Sequence, residues 1–324
     1  MSAGTPPLRV GLVGAGRHAS TSLHPALRPA GLEPVAVCTR HLEQAQAAAR
    51  RLGAERAHDD VGAMLDAGGL DAVVVCVPPD AYAPIVRRCV EAGLPVFTEK
   101  PGAANAAEAR TLAAFAAERR VPVMVGFMKR FAPTYRRARE IARSEEFGGL
   151  RMASLKFVVG RMRLPLDEYV VENVCHPLDL ARFLAGEVAE LSAEHSGDGE
   201  RGHALAILAR TATGALLTFQ VGTVGAWSQH NERVELYGGG ASVCVDNLDT
   251  LIHRPAHGPT QVSLPNYTVP LPANFTGTTM GFVPELEHFR AVAGGGVACE
   301  SDMAGAAATL ELAARVVAAA GAPR

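Results

Sequence analysis

The feature that most constrains this chain lies between Arg9 and Ala19, where Arg9-Val10-Gly11-Leu12-Val13 runs directly into Gly14-Ala15-Gly16-Arg17-His18-Ala19. This is G-x-G-x-x-A set between an apolar strand run and the start of a helix, the context in which the motif carries weight. Gly14 permits the tight turn, Gly16 lets backbone amides approach a pyrophosphate, and the small Ala19 lets the helix pack close to the strand. A glycine-rich turn in an unrelated sheet can spell the same letters. Its place at the head of a βαβ pattern favours dinucleotide binding, with Arg17 and His18 either contacting the cofactor or simply facing solvent.

The rest of the first third keeps that grammar. Strands are expected at Arg9–Val13, Pro34–Thr39, Ala72–Val77, Val96–Thr98 and Val121–Gly126. Helices are expected at Leu23–Ala30, Leu42–Leu52, Val61–Asp66, Ala83–Ala92 and Ala106–Arg119. Alternation of this kind builds a parallel sheet with crossover helices. Val73-Val74-Val75-Cys76-Val77 is apolar without alternation, as a strand buried on both faces should be, and Pro78-Pro79 ends it. After Gly126 one or two helices precede strand runs at Leu150–Val159, Ala189–His195, Ala204–Ala209, Ala215–Val221, Arg233–Tyr237, Ala241–Val245 and Thr250–His253. The fold class expected is therefore α/β. A Rossmann doubly wound parallel sheet occupies residues 1–126, and an α+β domain with an open-faced, largely antiparallel sheet occupies 127–324. The Ala-rich final helix, Asp302 to Ala320, can dock on either domain through Leu310, Leu312 and Val316-Val317.

Charge narrows the partners. A net charge of −2, from 31 basic and 33 acidic side chains, leaves no field that gathers nucleic acid or anionic lipid, so a small molecule is favoured. The N-terminus has no apolar signal region, and no later run reaches the roughly 18 uninterrupted apolar residues of a membrane helix. A cytoplasmic protein is expected. The six cysteines are scattered without a CxxC, which reads as buried free thiols rather than disulfides or a metal site.

Cofactor choice is written after the second strand. An NAD-selective site usually places an acid there for the ribose 2′-hydroxyl. Here Val35-Ala36-Val37-Cys38 ends in Thr39-Arg40, a hydroxyl and a guanidinium that suit a 2′-phosphate. NADP(H) is expected to be preferred, with NAD(H) possible as well; on the bland alternative Arg40 is a solvated helix-start residue.

At Glu99-Lys100-Pro101 the sequence begins to resemble the Gfo/Idh/MocA oxidoreductases. The likeness runs from the glycine loop through Val77-Pro78-Pro79, Glu91-Ala92-Gly93-Leu94-Pro95-Val96, the EKP tripeptide and Val125-Gly126-Phe127 with Arg130. It continues through His176-Pro177-Leu178-Asp179, Glu232-Arg233-Val234-Glu235 and Glu285-Leu286-Glu287-His288-Phe289. The resemblance implies a Rossmann domain followed by an open sheet that often mediates assembly, here as a homodimer or homotetramer. It implies oxidation or reduction of a hydroxyl-bearing carbon on a sugar, aminosugar, sugar nucleotide or cyclitol. It makes Lys100 and His176 the catalytic pair, adds Val77, Pro78 and Glu99 to the cofactor site, and implies a cis Lys100-Pro101 bond. It also directs Arg130, Tyr169, Asn173, His230 and Asn231 toward the substrate. Two departures stand out: Glu172 where the family commonly has Asp four residues before the His, and Tyr82 where it often has His.

The chemistry of these residues agrees with that implication. Hydride transfer leaves the protein one proton and the geometry to manage. If Val171 to Ala185 is helical, Glu172, His176 and Asp179 are spaced i, i+4, i+7 on one face. His176 is the natural proton carrier, because an imidazole titrates near neutral pH. Lys100, at the carboxyl end of a strand, can favour alkoxide character on the reacting oxygen. Asp179 either binds substrate or holds Arg182. Trp227 forms either a sugar-stacking wall or core packing. Two other readings remain open: a glycosidase or epimerase that recycles its nicotinamide within each turnover, and a silent dinucleotide-sensing regulator. Retention of both Lys100 and His176 argues against the second.

Overall fold

The computed structural model describes residues 6–227, 231–264 and 276–321. The chain divides into two compact units. One runs to Met128 and takes in Gly281–Ala308; the other spans Lys129–Met280 and continues from Thr309.

In the first unit β1 (Leu8–Val13), β2 (Leu32–Cys38), β3 (Arg56–His58), β4 (Ala72–Val75), β5 (Val96–Glu99) and β6 (Val123–Gly126) form one sheet in the order β3-β2-β1-β4-β5-β6. Every pairing in it is parallel. The strand order reverses between β1 and β4, and the carboxyl ends of strands at such a reversal are where doubly wound sheets bind ligands. Crossovers are made by α1 (His24–Leu27), α2 (Leu42–Leu52), α3 (Val61–Asp66), α4 (Tyr82–Glu91) and α5 (Ala106–Arg119). In this sheet the strand missed from sequence is β3, three half-buried residues at the edge, Arg-Ala-His, with no apolar run to announce them.

The helix after the glycine loop begins earlier than expected. Residues 17–27 are helical, with a π-helical turn at Ala19–Leu23. The cause is Pro25, which has no N–H for the usual bond and whose ring would strike the carbonyl four residues back. The turn widens instead, and His24 N–H reaches back five residues to Ala19 O.

The second unit holds α6 (Pro133–Arg143), α7 (Leu166–Tyr169), α8 (Cys175–Ala185) and α9 (Thr276–Thr279) with an eight-stranded sheet. The strands are β7 (Leu150–Gly160), β8 (Val188–Asp198), β9 (Gly202–Thr211), β10 (Leu216–Gly225), β11 (Asn231–Gly238), β12 (Ala241–Asp246), β13 (Thr250–Arg254) and β14 (Gln261–Ser263). Their order is β14-β13-β12-β11-β7-β10-β9-β8, antiparallel throughout except for β7 against β10. Alternation is clear in β9, where Leu205, Ile207 and Ala209 enter the core and Leu208 stays half exposed. Inside, Lys129 Nζ meets Glu232 Oε2 at 2.5 Å and Tyr135 OH donates to Glu232 Oε1 at 2.7 Å, so this buried carboxylate is fully engaged.

Two segments depart from the expected boundary at residue 126. First, α10 (Phe282–Ala293) belongs to the first unit, where Phe289 meets Phe97 of β5 edge-on at 5.7 Å. An apolar helix stripe shows that a face is buried, not which sheet buries it. Second, α11 (Met303–Gly321) begins with the first unit and continues with the second, where Leu312, Ala313 and Val316 join the core. By length and composition this helix is apolar enough to cross a membrane. Its packed face, and Arg315 bonded to Val188 O and Ala189 O at 3.0 and 2.8 Å, are those of a core helix. Cys38, Cys89, Cys175 and Cys244 are buried free thiols, and Cys76 and Cys299 half-buried ones.

His24 makes the first unit sensitive to acid. Burial, reinforced by Arg51, lowers its pKa from 6.5 to about 4, while a hydrogen bond with the Gly14 backbone acts in the opposite direction. Between those values the unfolded chain binds a proton that the folded chain refuses, so stability rises with pH across that window. Lowering the pH from 6.5 to about 4 is expected to cost up to about 3 kcal/mol from this group alone. Urea melts across the range should show the slope flattened in His24→Asn; an unchanged slope rules the assignment out.

Candidate active site

The glycine loop leaves β1 with Gly14 N–H donating to Cys38 O at 2.9 Å, while Cys76 N–H donates to Val13 O at 2.9 Å. Gly14 sits at φ +98°, and any side chain there would run into the carbonyl of Cys76 and the Val77 methyl. Gly16 is the opposite case: it is exposed, and a Cβ there would meet nothing within 4 Å. One glycine is needed by the turn, and the other keeps backbone open for a ligand. These residues fit a dinucleotide pyrophosphate. Arg17 is exposed, Val77 is half-buried against the loop, and Pro78 is exposed. Thr39 is half-buried with its hydroxyl donating to His41 O at 2.8 Å, and Arg40 is exposed.

At the end of β5 stands the EKP turn. Glu99 is buried; its Oε2 accepts the Lys100 N–H at 3.2 Å, and its Oε1 lies 3.4 Å from His18 Nε2. Lys100 is half-buried, and its bond to Pro101 is cis. The His18 ring tilts against Phe282 of α10 at 6.0 Å. Neither Glu285 nor Phe282 was singled out from sequence as a site residue. The available signal was a glutamate set inside the apolar stripe Phe282, Leu286, Phe289, Val292.

In the second unit the helix that carries His176 is not a uniform α-helix. Between α7 and α8, Val170–Val174 form a π-helical turn, closed by Cys175 N–H bonding to Val170 O. Pro177 explains it as Pro25 does above, and wide turns of this kind are frequent at functional sites. The i, i+4, i+7 spacing of Glu172, His176 and Asp179 therefore does not translate into one α-helical face. Glu172, Asn173 and His176 are half-buried, while Asp179 is 2% exposed.

Asp179 is held first by Arg130, with Arg182 farther off at 3.9 Å. Arg130 grips it with two bonds, Nε to Oδ2 at 2.5 Å and Nη2 to Oδ1 at 2.6 Å. Thr309 Oγ1 donates to Oδ1 at 3.0 Å while accepting from Arg182 Nη1 at 2.7 Å, and Arg182 in turn forks onto Glu187. Tyr169 is buried, and burial raises its phenol pKa. Its ring stacks on His203 at 5.7 Å and 16°. His203 must donate Nε2–H to Leu164 O at 2.9 Å, which leaves Nδ1 to accept from His195 Nε2 at 3.0 Å. Neither histidine was anticipated, since their partners Leu164 and Tyr169 lie more than thirty residues before His203 in sequence. His230 and the glutamine and serine before it lie outside the described residues.

Residues 8–127 match the model of an oxidoreductase family with an NAD-binding Rossmann fold, and residues 135–244 match the GFO/IDH/MocA C-terminal domain. The chain belongs to the Gfo/Idh/MocA oxidoreductase family. Among its relatives in this family, inositol 2-dehydrogenase of Rhizobium meliloti is 27% identical over 300 residues, 87% of each chain. D-apiose dehydrogenase of Paraburkholderia graminis is 33% identical over 193 residues, 57% of this chain and 52% of that protein. A dehydrogenase from Chromobacterium violaceum superposes with a TM-score of 0.87 at 25% identity, covering 98% of this chain and 96% of the other. The family's Rossmann domain and its largely antiparallel sheet are the two units described above.

Proposed function

We propose that this protein is an NAD(P)-dependent dehydrogenase that interconverts a secondary alcohol and a ketone on a cyclitol, sugar, aminosugar or sugar nucleotide. The observation that carries this reading is the EKP turn at the carboxyl end of β5, in the same unit as a glycine loop open at Gly16. A bound nicotinamide supplies the hydride acceptor or donor. Lys100 hydrogen-bonds the reacting oxygen, and His176 takes the hydroxyl proton in oxidation and returns it in reduction. Glu172, four residues before His176, is the carboxylate placed to orient it, and Arg130 with Asp179 holds the start of the second unit against α8. The relatives named above act on inositol and D-apiose, and polyols of that kind are the substrates to try first. The test follows nicotinamide absorbance across a panel of cyclitols, aldoses and ketosugars. No turnover with any member, in either direction, sinks the proposal.

The preferred cofactor is NADP(H), because Thr39-Arg40 offers a phosphate partner and no acidic acceptor for a ribose hydroxyl. Arg40→Ala is expected to weaken NADPH about tenfold while leaving NADH within about twofold, since the loss is one charge-assisted contact. Equal losses, or a wild type that prefers NADH, would show that Arg40 does not read the phosphate. The protein works in the cytoplasm as a homodimer or homotetramer. Its open sheet carries exposed Met152 and Leu216 in direct register, with exposed Leu208 on the neighbouring strand opposite Thr218, a patch suited to self-association.

A further inference from the structure

Glu99 and Glu285 present an electrostatic problem whose solution bears on the cofactor. On β5, Phe97 and Glu99 alternate to the same face. On α10, Phe282, Glu285 and Phe289 lie on one stripe. The contacts Phe97 to Phe289 and His18 to Phe282 bracket that stripe, so Glu285 is set over Glu99 between them. Glu285 is fully buried, and neither of its carboxyl oxygens has a hydrogen-bond partner among the described residues. Glu99 is as deeply placed, but its oxygens face the Lys100 N–H and the His18 imidazole. His18 Nε2, at 3.4 Å, is within ion-pair reach although not aligned as a hydrogen bond.

Two carboxylates cannot both be ionised in such a place. The proton goes to the one whose charge nothing compensates. Burial first, and then the charge on Glu99, push the Glu285 carboxyl well above the ordinary range. The charge on Glu99 is felt beyond its own strand. The Cys76 thiol, just past the end of β4, is pushed up to about 12 by burial and then by Glu99, with Lys100 acting the other way. That end of β4 is the switch point where a dinucleotide belongs.

We propose that Glu99 and Glu285 act as a one-proton acid pair, Glu285 neutral and Glu99 anionic, and that the single charge on Glu99 biases binding toward the oxidised, cationic nicotinamide. The inference rests on the cofactor reading above. Its chemistry is electrostatic: a nicotinamide ring is positive when oxidised and neutral when reduced, so a fixed negative charge nearby stabilises the first form selectively. Glu285 holds the number of such charges at one, and in that sense it is a positioning residue for charge rather than a catalytic one.

The test measures dissociation constants for oxidised and reduced dinucleotide by calorimetry, with no substrate present. Glu99→Gln should shift the ratio of the two toward the reduced form by on the order of tenfold, whereas Glu285→Gln, which keeps the neutral shape, should move it less than about twofold. Infrared spectra of the wild type at neutral pH should contain a protonated-carboxyl band that Glu285→Gln abolishes, a readout that does not depend on Glu99 variants folding. An unchanged ratio in Glu99→Gln, an equal shift in Glu285→Gln, or no protonated carboxyl in the wild type each overturns the proposal. A wild type that binds neither dinucleotide overturns the cofactor reading itself, and this inference with it.

Discussion

Asp179→Ala is expected to lower the free energy of unfolding of the second unit by roughly 3–5 kcal/mol, the range for removing one partner of a buried ion pair. The magnitude follows from what is left behind. Arg130 is only 12% exposed in its side chain and gives Asp179 two short bonds. Without the carboxylate its buried guanidinium loses both of these charge-assisted bonds. Thr309 and Arg182 lose an acceptor and a neighbour in the same step. The double variant Arg130→Met with Asp179→Leu should recover much of the loss, because it removes both charges rather than one. Urea denaturation of the single and double variants measures this directly. If Asp179 were instead a substrate ligand, Asp179→Ala would fold with near wild-type stability and raise KM, and that outcome would defeat the positioning role.

Why the Arg130–Asp179 pair was not readable from sequence while the Rossmann half was is a matter of range. Gly14, Gly16 and the Val73–Val75 run announce themselves locally: a left-handed turn needs glycine, and a doubly buried strand needs continuous apolar residues. Arg130 and Asp179 lie 49 residues apart, and each alone has several plausible partners. The nearest basic residue one turn away, Arg182, was the natural guess for Asp179, yet its closest approach is 3.9 Å and its fork is turned to Glu187. The π turns at Ala19–Leu23 and Val170–Val174 were similarly hidden. The letters His-Pro occur at both sites, but a helix-period reading assumes 3.6 residues per turn and has no place for the wide turn that proline imposes. For α10 the missing information was which sheet its stripe covers, and it is in that stripe that the unexpected Glu285 is found.

His176→Ala is expected to reduce kcat by on the order of 10²–10⁴ while leaving dinucleotide affinity nearly intact, because a proton carrier acts in the transition state. Lys100→Met should behave alike, with a further loss in KM if its ammonium also binds the ground-state hydroxyl. Since both residues would serve one proton transfer, the double variant should lose less than the product of the single losses. Steady-state kinetics with a substrate from the polyol panel, together with dinucleotide titrations, check all three statements. Full multiplicativity would mean that the two act on separate steps, and a mild His176→Ala phenotype would assign the proton to another group. Tyr169 is a poor replacement, being buried, stacked on His203 and raised in pKa by that burial. Glu172 is the better one, half-buried on the wide turn that leads into His176. Glu172→Gln then separates the cases: a loss comparable to that of His176→Ala, with an altered pH profile, makes the carboxylate the proton carrier, whereas a loss of tenfold or less leaves it as the group that orients the imidazole.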